Sequence, residues 1–175
     1  MSVSAENLGP SHWLGARPGG VGVLDAWSAA DGSPRIASSG TDGAIHIWNP
    51  ERGEAVGYPL IGHSAAVWVL TVWRWPDGCM LVSTGEDGTI RTWDPETGRP
   101  YFPLMSGHEG WVRALALWND PDGAPRLASA GTDDAVLIWD PVLGTTIGDP
   151  LITGHERLAA LAIWRVKRAT FSESC

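Results

Sequence analysis

One phrase recurs three times along the chain and limits the folds that the chain can adopt. It reads GTDGAIHIWNP at 40–50, GEDGTIRTWDP at 85–95 and GTDDAVLIWDP at 131–141. Its tryptophans, Trp48, Trp93 and Trp139, are separated by 45 and 46 residues. A regular period of about 20 to 50 residues indicates an array of similar units that stack on one another. The chain is therefore an array of repeats.

Composition favours short strands joined by tight turns. The 175 residues are 43% apolar, which is enough for a core, but only 18% are charged. The chain contains 22 glycines and 13 prolines, residues that interrupt helices and form turns. No apolar period of about 3.6 residues continues long enough to predict a helix. We therefore predict an all-β protein.

Charge and segment patterns exclude several classes of function. The formal net charge is −8, from 12 Lys and Arg against 20 Asp and Glu, and such a surface repels nucleic acid. We find no secretory leader and no run of about 20 apolar residues, so we expect a cytoplasmic protein without a membrane partner. Cys79 and Cys175 fit no metal-ligand spacing, and no phosphate-binding motif occurs. We therefore predict no cofactor and no metal.

Each unit divides into four short stretches with the pattern of β-strands. They lie at 21–27, 34–39, 44–48 and 55–61, at 67–73, 79–84, 89–93 and 101–105, and at 111–118, 126–130, 135–139 and 145–152. The first stretch is apolar on both faces, as in a strand between neighbouring sheets, and the fourth is weak and contains proline, as at an edge. The pattern predicts four-stranded antiparallel meanders, which are the blades of a β-propeller.

Two dipeptides mark the limits of the repeats. Gly-His stands at 62–63, 107–108 and 154–155 before a first strand, and Trp-Asn or Trp-Asp at 48–49, 93–94 and 139–140 ends a third strand. With this order and period, the stretch from about 17 to 164 resembles the tryptophan-aspartate (WD40) repeats of β-propellers. The DPDG and WDP phrases are similar to those of bacterial members.

The resemblance implies a hydrogen-bonded chain within each blade. In such repeats it joins the Gly-His histidine, a second-strand Ser or Thr, a turn Asp and the third-strand Trp. The matching residues are His63, Ser83, Asp87 and Trp93 in blade two, His108, Ser129, Asp133 and Trp139 in blade three, and Ser38, Asp42 and Trp48 in blade one. Arg17 stands at the histidine position of blade one. We therefore expect either an incomplete network there or an Arg17–Asp42 ion pair, and we expect blade one to be the least rigid.

Serine, histidine and aspartate are also the residue types of a hydrolase triad. A catalytic set is normally built once, whereas this set recurs at matching positions in two blades. A hydrolase would require one of the two histidines to differ strongly from its counterpart. We therefore predict that the residues satisfy buried polar groups and that the chain has no catalytic residue.

Three residues form a candidate interaction surface. Of the 11 tryptophans, seven lie at repeat positions that we assign to the core. Trp111 does not, because its counterparts in the other blades are a glycine and an alanine. It lies beside Arg113, whose counterpart in blade two is Trp68, and Trp and Arg are enriched among the residues that dominate interface energies. In the resembling family this end of the first strand lies on the face where partners dock. The alternative is that Trp111 only caps a junction between blades.

The repeats predict the limits of the blades. Three blades are predicted at 18–61, 62–106 and 107–153, followed by the first strand of a fourth blade at 154–165. An N-terminal tail with a possible degenerate outer strand occupies 1–17, and a second tail occupies 166–175. Closed propellers have about four to eight blades, so this set predicts an incomplete or open propeller. Three explanations stay open: a truncated or frame-shifted product of a longer gene, assembly with a copy or another repeat chain, or an open arc shielded by its tails.

These observations together predict a non-catalytic scaffold for protein–protein interaction. The scaffold is a fragment or an oligomerising arc of a propeller, and its partners are proteins or further copies of itself. The alternative is a lectin-like propeller that binds a ligand or glycan through aromatic side chains at repeated sites. Trp111 is not repeated in the other blades, which counts against that alternative.

Overall fold

The computed structural model describes residues 20, 22–75 and 78–152. This part of the chain folds into thirteen β-strands and contains no helix. The prediction of an all-β protein is therefore confirmed. Arg17, the fourth-blade strand predicted at 154–165 and both predicted tails lie outside the described residues.

Three antiparallel sheets follow one another along the chain, each with its strands side by side in chain order. Sheet A contains β1 (Val23–Ser28), β2 (Pro34–Ser39), β3 (Ile45–Asn49) and β4 (Glu54–Ala55). Sheet B contains β5 (Val67–Trp75), β6 (Gly78–Gly85), β7 (Thr89–Trp93) and β8 (Met105–Ser106). Sheet C contains β9 (Val112–Asn119), β10 (Pro125–Gly131), β11 (Ala135–Asp140) and β12 (Thr145–Thr146), and β13 (Leu151–Ile152) also pairs with β11. The predicted propeller-type meanders are thus present, while the exact limits of the blades stay a prediction.

The turn between the second and third strands requires a left-handed residue. Gly43 and Gly88 occupy it in the first two sheets, with φ of 73° and 70°. A Cβ on Gly43 would lie 2.7 Å from the Ala65 carbonyl oxygen, so a larger residue would clash there. Sheet C has Asp134 at this position with φ of 60°. Asp adopts this conformation more readily than most residues because its short side chain can form local hydrogen bonds.

The fourth strands are shorter than the sequence predicts. Each is broken into brief segments: β4 is followed by a bridge between Leu60 and Ile45, and β8 is preceded by a bridge between Pro100 and Trp93. A proline stands at or between the two segments in every sheet. Proline cannot donate a backbone hydrogen bond, so it interrupts the ladder and confines these strands to the edge.

The core lies between adjacent sheets. The cluster between sheets A and B contains Trp27, Ala37, Ile45, Ile47, Leu60, Val67, Leu70, Val72, Leu81 and Trp93. The cluster between sheets B and C contains Trp73, Met80, Val82, Ile90, Met105, Val112, Leu127, Ala135, Leu137 and Trp139. Each cluster combines a first-strand tryptophan of one sheet with a third-strand tryptophan of the next. The sequence repeat therefore produces the same kind of packing at each of the two interfaces between sheets.

The first strands do not all have two buried faces. In β5, Leu70 packs toward sheet A and Trp73 packs toward sheet C, as the sequence predicts. In β1 exposure alternates along the strand, and Leu24 is 62% exposed. Among the described residues no sheet packs on that face of sheet A, so β1 is not buried on both faces. An exposed face on the first sheet agrees with the predicted open propeller.

Candidate interaction surface

In the two Gly-His pairs that the structure describes, at 62–63 and 107–108, the glycine lies against the third-strand tryptophan of its blade. A Cβ on Gly62 would stand 2.8 Å from Cη2 of Trp93, and one on Gly107 would stand 3.0 Å from Cη2 of Trp139. Both distances are shorter than ordinary carbon–carbon contacts. Glycine is therefore needed where the histidine-bearing segment crosses the indole ring, and the histidine after it points into the blade.

The histidine of blade two joins the other three predicted residues. Nδ1 of His63 lies 2.9 Å from Oδ2 of Asp87, and its Nε2 lies 2.8 Å from Oγ of Ser83. The indole Nε1 of Trp93 donates to the same Oγ at 2.9 Å. Oγ1 of Thr89, which the sequence analysis missed, donates to Oδ1 of Asp87 at 2.8 Å. The network therefore crosses the blade from the turn to the third strand.

Burial controls the protonation of this network. It lowers the pKa of His63 below the ordinary value of 6.5, against the opposing effect of the Asp87 carboxylate. Burial acts to raise the pKa of Asp87, but the hydrogen bond from Thr89 and the neighbouring His63 outweigh it, so this pKa is lowered. A neutral His63 that donates from Nδ1 to Asp87 and accepts from Ser83 at Nε2 satisfies every member of the network.

Blade three repeats the arrangement. Nδ1 of His108 lies 2.9 Å from Oδ2 of Asp133, and its Nε2 lies 2.7 Å from Oγ of Ser129. Nε1 of Trp139 donates to that Oγ at 2.7 Å. Burial again acts to raise the pKa of Asp133, but hydrogen bonds from His108 and the backbone of Glu109 prevail and lower it.

Blade one contains a shorter network. Nε1 of Trp48 donates to Oγ of Ser38 at 2.9 Å, as in the other blades. Asp42 accepts a hydrogen bond of 3.2 Å from the backbone N–H of Ala44, within its own turn. The suggested Arg17–Asp42 ion pair involves a residue outside the described part of the chain.

The networks hold polar groups together and leave no accessible nucleophile. Ser83 and Ser129 are completely buried. Each Oγ already contacts an imidazole nitrogen and an indole N–H, so a substrate carbonyl would have to displace one of them. Hydrolase chemistry requires the hydroxyl to meet a substrate within hydrogen-bonding reach of the base.

Trp68, Trp111 and Arg113 come together at one surface site, which we call the Trp–Arg patch. The two indole rings stack with centroids 6.1 Å apart and planes inclined by 18°. Cζ of Arg113 lies 4.6 Å from the centroid of Trp68 and 5.2 Å from that of Trp111, within the range of cation–π attraction. Trp68 is 40% exposed and Trp111 is 41% exposed. The patch therefore presents aromatic and cationic groups to solvent.

The backbone around the patch is anchored although its side chains are exposed. The pairing register of β5 with β6 shifts between Val67 and Val69, so Trp68 occupies a bulge. Such bulges redirect a side chain. Nε1 of Trp68 donates to Oε1 of Glu86 at 3.2 Å. The N–H of Trp111 donates to Oγ1 of Thr132 at 3.0 Å, and its carbonyl accepts from the N–H of the same residue.

Glu86 and Thr132 support the patch, and sequence reasoning did not identify them. Both belong to the turns that follow second strands, and only pairing with the first strand brings them near the indoles. In the part of the chain that the structure describes, the guanidinium of Arg113 has no hydrogen bond or ion pair, so its N–H donors stay available to a ligand.

Within residues 20, 22–75 and 78–152, no group of three or more His, Cys, Asp or Glu side chains could hold a metal ion. The same described ranges contain no helix long and apolar enough to span a membrane.

Comparisons with known proteins identify the repeats. The family model for the WD domain, G-beta repeat, matches residues 56–94 and 101–140. No curated protein matches the sequence significantly. The crystal structure of the computationally designed Ika4 protein is similar, with a TM-score of 0.64, 21% identity, and coverage of 86% of this chain and 83% of that one.

Natural repeat structures are also similar. The WD40 repeats of RRP9 and the structure of U3-55K each give a TM-score of 0.66 and 24% identity. Each match covers 84% of this chain but 43% of that protein, so the chain spans less than half the length of these two structures. At such identities the likeness shows the fold alone.

Proposed function

From the WD domain, G-beta repeats matched at 56–94 and 101–140, we propose that the chain is a WD40-repeat protein and a non-catalytic scaffold that binds a protein partner through the Trp–Arg patch. WD40 repeats generally mediate protein–protein interaction. Fold alone does not identify a partner, so the proposal depends on the chemistry of the surface. We also propose that the protein is bacterial, because its DPDG and WDP phrases are similar to those of bacterial members, and that it is located in the cytoplasm.

One observation carries the proposal: two stacked indoles are exposed beside a guanidinium without a hydrogen bond or ion pair among the described residues. Trp and Arg dominate binding energies because they bury a large area and place directed donors. The stack also fixes the rings before binding, which lowers the entropy lost when a partner docks. A junction cap alone would not need the cation.

The buried networks support a scaffold role in another way. They fix the turns that contain Asp87 and Asp133. In these turns Glu86 accepts a hydrogen bond from the Trp68 indole, and Thr132 holds the backbone of Trp111. The networks thus stabilise the surface without taking part in recognition. Their repetition in two blades and the buried serines are the reasons for proposing that the protein is not an enzyme.

Partner capture with a double variant tests the proposal. We expect immobilised wild-type protein to retain specific partners from a cell extract and the Trp111→Ala, Arg113→Ala variant to lose them. Quantitative mass spectrometry would measure the loss, and circular dichroism would establish that the variant is folded. Tyr58→Ala is a matched control, because Tyr58 is 93% exposed and lies away from the patch. Unchanged capture by the folded double variant would show that the Trp–Arg patch is not the binding site.

The lectin-like alternative gives a different result in the same assay. Exposed indoles can stack on sugar rings, so free monosaccharides would then compete with the captured molecules. Under our proposal sugars have no effect, and removing the Arg113 charge alone weakens capture. Elution by a sugar would favour the alternative.

A further inference from the structure

Arg113 differs from two other arginines of the sheets, because those two have acceptors within the fold. Arg74 donates to the carbonyl of Ala26 at 2.7 Å, and Arg126 forms an ion pair with Asp120 at 2.8 Å. Arg113 is exposed in β9, and its guanidinium has no hydrogen bond or ion pair in the part of the chain that the structure describes. A guanidinium carries five N–H donors, so Arg113 can bind an acceptor on another molecule.

The two indoles of the Trp–Arg patch define what kind of acceptor fits. Cζ of Arg113 lies 4.6 Å from the ring centroid of Trp68 and 5.2 Å from that of Trp111. A guanidinium is planar, and its fork of N–H groups matches the two oxygens of a carboxylate. The rings beside it are 40% and 41% exposed and offer apolar surface. The patch is therefore suited to a carboxylate that stands next to an apolar side chain.

Acidic groups near the patch limit the charge of the ligand. Oε1 of Glu86 accepts the hydrogen bond from the indole of Trp68, and Glu109 is exposed two residues before Trp111. The whole chain has a formal net charge of −8. A phosphate group carries about −1.5 to −2 at neutral pH, and a run of acidic residues carries more. One guanidinium on an acidic surface therefore favours a single carboxylate, and the surrounding charge favours cations on either side of it.

We propose that the Trp–Arg patch binds a peptide segment of a partner protein with one Asp or Glu side chain next to an apolar side chain, and with Lys or Arg in its flanks. The carboxylate pairs with the guanidinium of Arg113, and the apolar side chain packs on the exposed indole rings. The basic flanks complement Glu86 and Glu109. This inference rests on the proposed function and adds the chemistry of the partner to it.

Selection from a random peptide display library tests the chemistry of the partner. The same library is applied to the immobilised wild-type protein and to its Arg113→Gln variant. We expect sequences retained by the wild type alone to share one Asp or Glu beside an apolar residue, with Lys or Arg in the flanks. Arg52→Gln is the matched control, because it removes a positive charge from an exposed turn after β3 and should retain the same sequences as the wild type. Selected sequences without an acidic residue, or a selection that Arg113→Gln does not change, would overturn the proposal.

A double-mutant cycle tests the pair directly. A selected peptide is synthesised with an amidated C-terminus, so that its acidic side chain is its only carboxylate, and a second peptide carries the corresponding amide. Fluorescence anisotropy measures the Kd of both peptides. The change to the amide should weaken binding to the wild type by about tenfold or more but have little effect on binding to Arg113→Gln. Arg113→Lys keeps the charge without the fork and should bind with intermediate affinity. An equal effect of the amide on the wild type and Arg113→Gln, or tighter binding when phosphoserine replaces the acidic residue, would contradict the pairing.

Capture from the cell extract distinguishes failure of this inference from failure of the proposed function. If the Trp111→Ala, Arg113→Ala variant loses its protein partners but peptide binding does not depend on the carboxylate, the patch is the binding site and only the chemistry assigned to the partner is wrong. If capture by that variant is unchanged, the proposed function itself is wrong.

Discussion

At the scale of single residues, close contacts explain why the repeat keeps its motifs. Gly62 and Gly107 make room for the third-strand indoles, and the histidines after them reach the serines that those indoles also contact. The recurring positions of glycine, histidine, serine and tryptophan could be read from the sequence. The distances that make glycine necessary depend on sheet geometry, so they could not be predicted.

Replacing Gly62 tests this steric explanation. Gly62→Ala would place a Cβ 2.8 Å from Cη2 of Trp93 and 2.8 Å from Nη1 of Arg91. Overpacking of this kind costs about 1–3 kcal/mol, so the free energy of unfolding by urea should fall by that amount. Gly22→Ala is the control, because its Cβ would find the nearest atoms at 3.9 Å. Equal stability of the Gly62 variant and the wild type would contradict the explanation.

The buried imidazole of His63 predicts a pH dependence. Because its pKa is lowered in the folded protein, the unfolded chain binds the proton more readily. Its contribution to stability is therefore fully present above the ordinary pKa of 6.5 and is lost as the pH falls below that value toward the folded pKa. The pKa values of Asp87 and Asp133 are also lowered, so their stabilisation is lost only at pH values below about 3.8.

Urea unfolding at pH 7.5 and pH 5.5 measures the loss of stability caused by protonation of His63. Asp87 and Asp133 do not contribute, because both pH values lie above the range in which their stabilisation is lost. We expect the wild-type midpoint to be lower at pH 5.5. His63→Gln keeps an amide donor and an acceptor but cannot be protonated, so its midpoint should change less between the two pH values. If the variant retains the full pH dependence, His63 is not its source.

At the scale of elements, the sequence predicted strands best where apolar alternation met clear turn residues. The stretches at 34–39 and 89–93 coincide with β2 and β7. The fourth strands were predicted too long, because composition does not show where proline interrupts a ladder. The bulge at Trp68 was also missed, since a bulge depends on pairing with β6 and leaves no mark in an apolar run.

A carboxylate connects the first strands of sheets A and B. Oδ2 of Asp25 accepts a hydrogen bond of 2.8 Å from the backbone N–H of Val72, and Oδ1 accepts one from the N–H of Ala26. Arg74 adds a bond of 2.7 Å to the carbonyl of Ala26. Strands that belong to different sheets are thus joined by a side chain, since they share no backbone ladder.

Removal of this carboxylate should destabilise the contact between the sheets. Asp25→Ala leaves the Val72 N–H without its acceptor, and we expect a loss of about 1–3 kcal/mol in urea unfolding. Asp25→Asn keeps one acceptor oxygen and should lose less. Asp149→Ala, at an exposed turn, serves as the control for loss of an acidic residue. A result for Asp25→Ala equal to that of Asp149→Ala would show that the connection adds nothing.

At the scale of the whole molecule, stability is shared between neighbours. Sheet B contributes to both large clusters, whereas sheet A contributes to one. In repeat architectures of this type, stability is approximately a sum of unit and neighbour terms. The number of repeats was readable from the sequence, and an array too short to close predicted exposed faces at its ends. The pattern of β1 alone did not show this, because an apolar first strand has the same pattern whether or not a sheet covers it.

Because sheet B contributes to two core clusters and sheet A to one, we expect the strands of sheet A to open locally more often. Amide hydrogen exchange measures such local opening. β6 is paired on both sides, its residues Leu81 to Thr84 are completely buried, and its sheet has a neighbour on each face. β2 is also paired on both sides, but among the described residues sheet A packs only on sheet B. At a dilution where light scattering gives a single mass, amides of β6 should therefore exchange more slowly than those of β2.

Two truncations locate the cause of this difference. Leu70→Ala weakens the cluster between sheets A and B, so it should accelerate exchange in β2 more than in β10. Leu127→Ala weakens the cluster between sheets B and C and should do the reverse. Each removes buried methyl groups at a cost of about 2–5 kcal/mol, enough to change local opening by more than tenfold. If both variants accelerated β2 and β10 equally, the three sheets would unfold as one cooperative unit, and the exposed face of sheet A would have no local effect on stability.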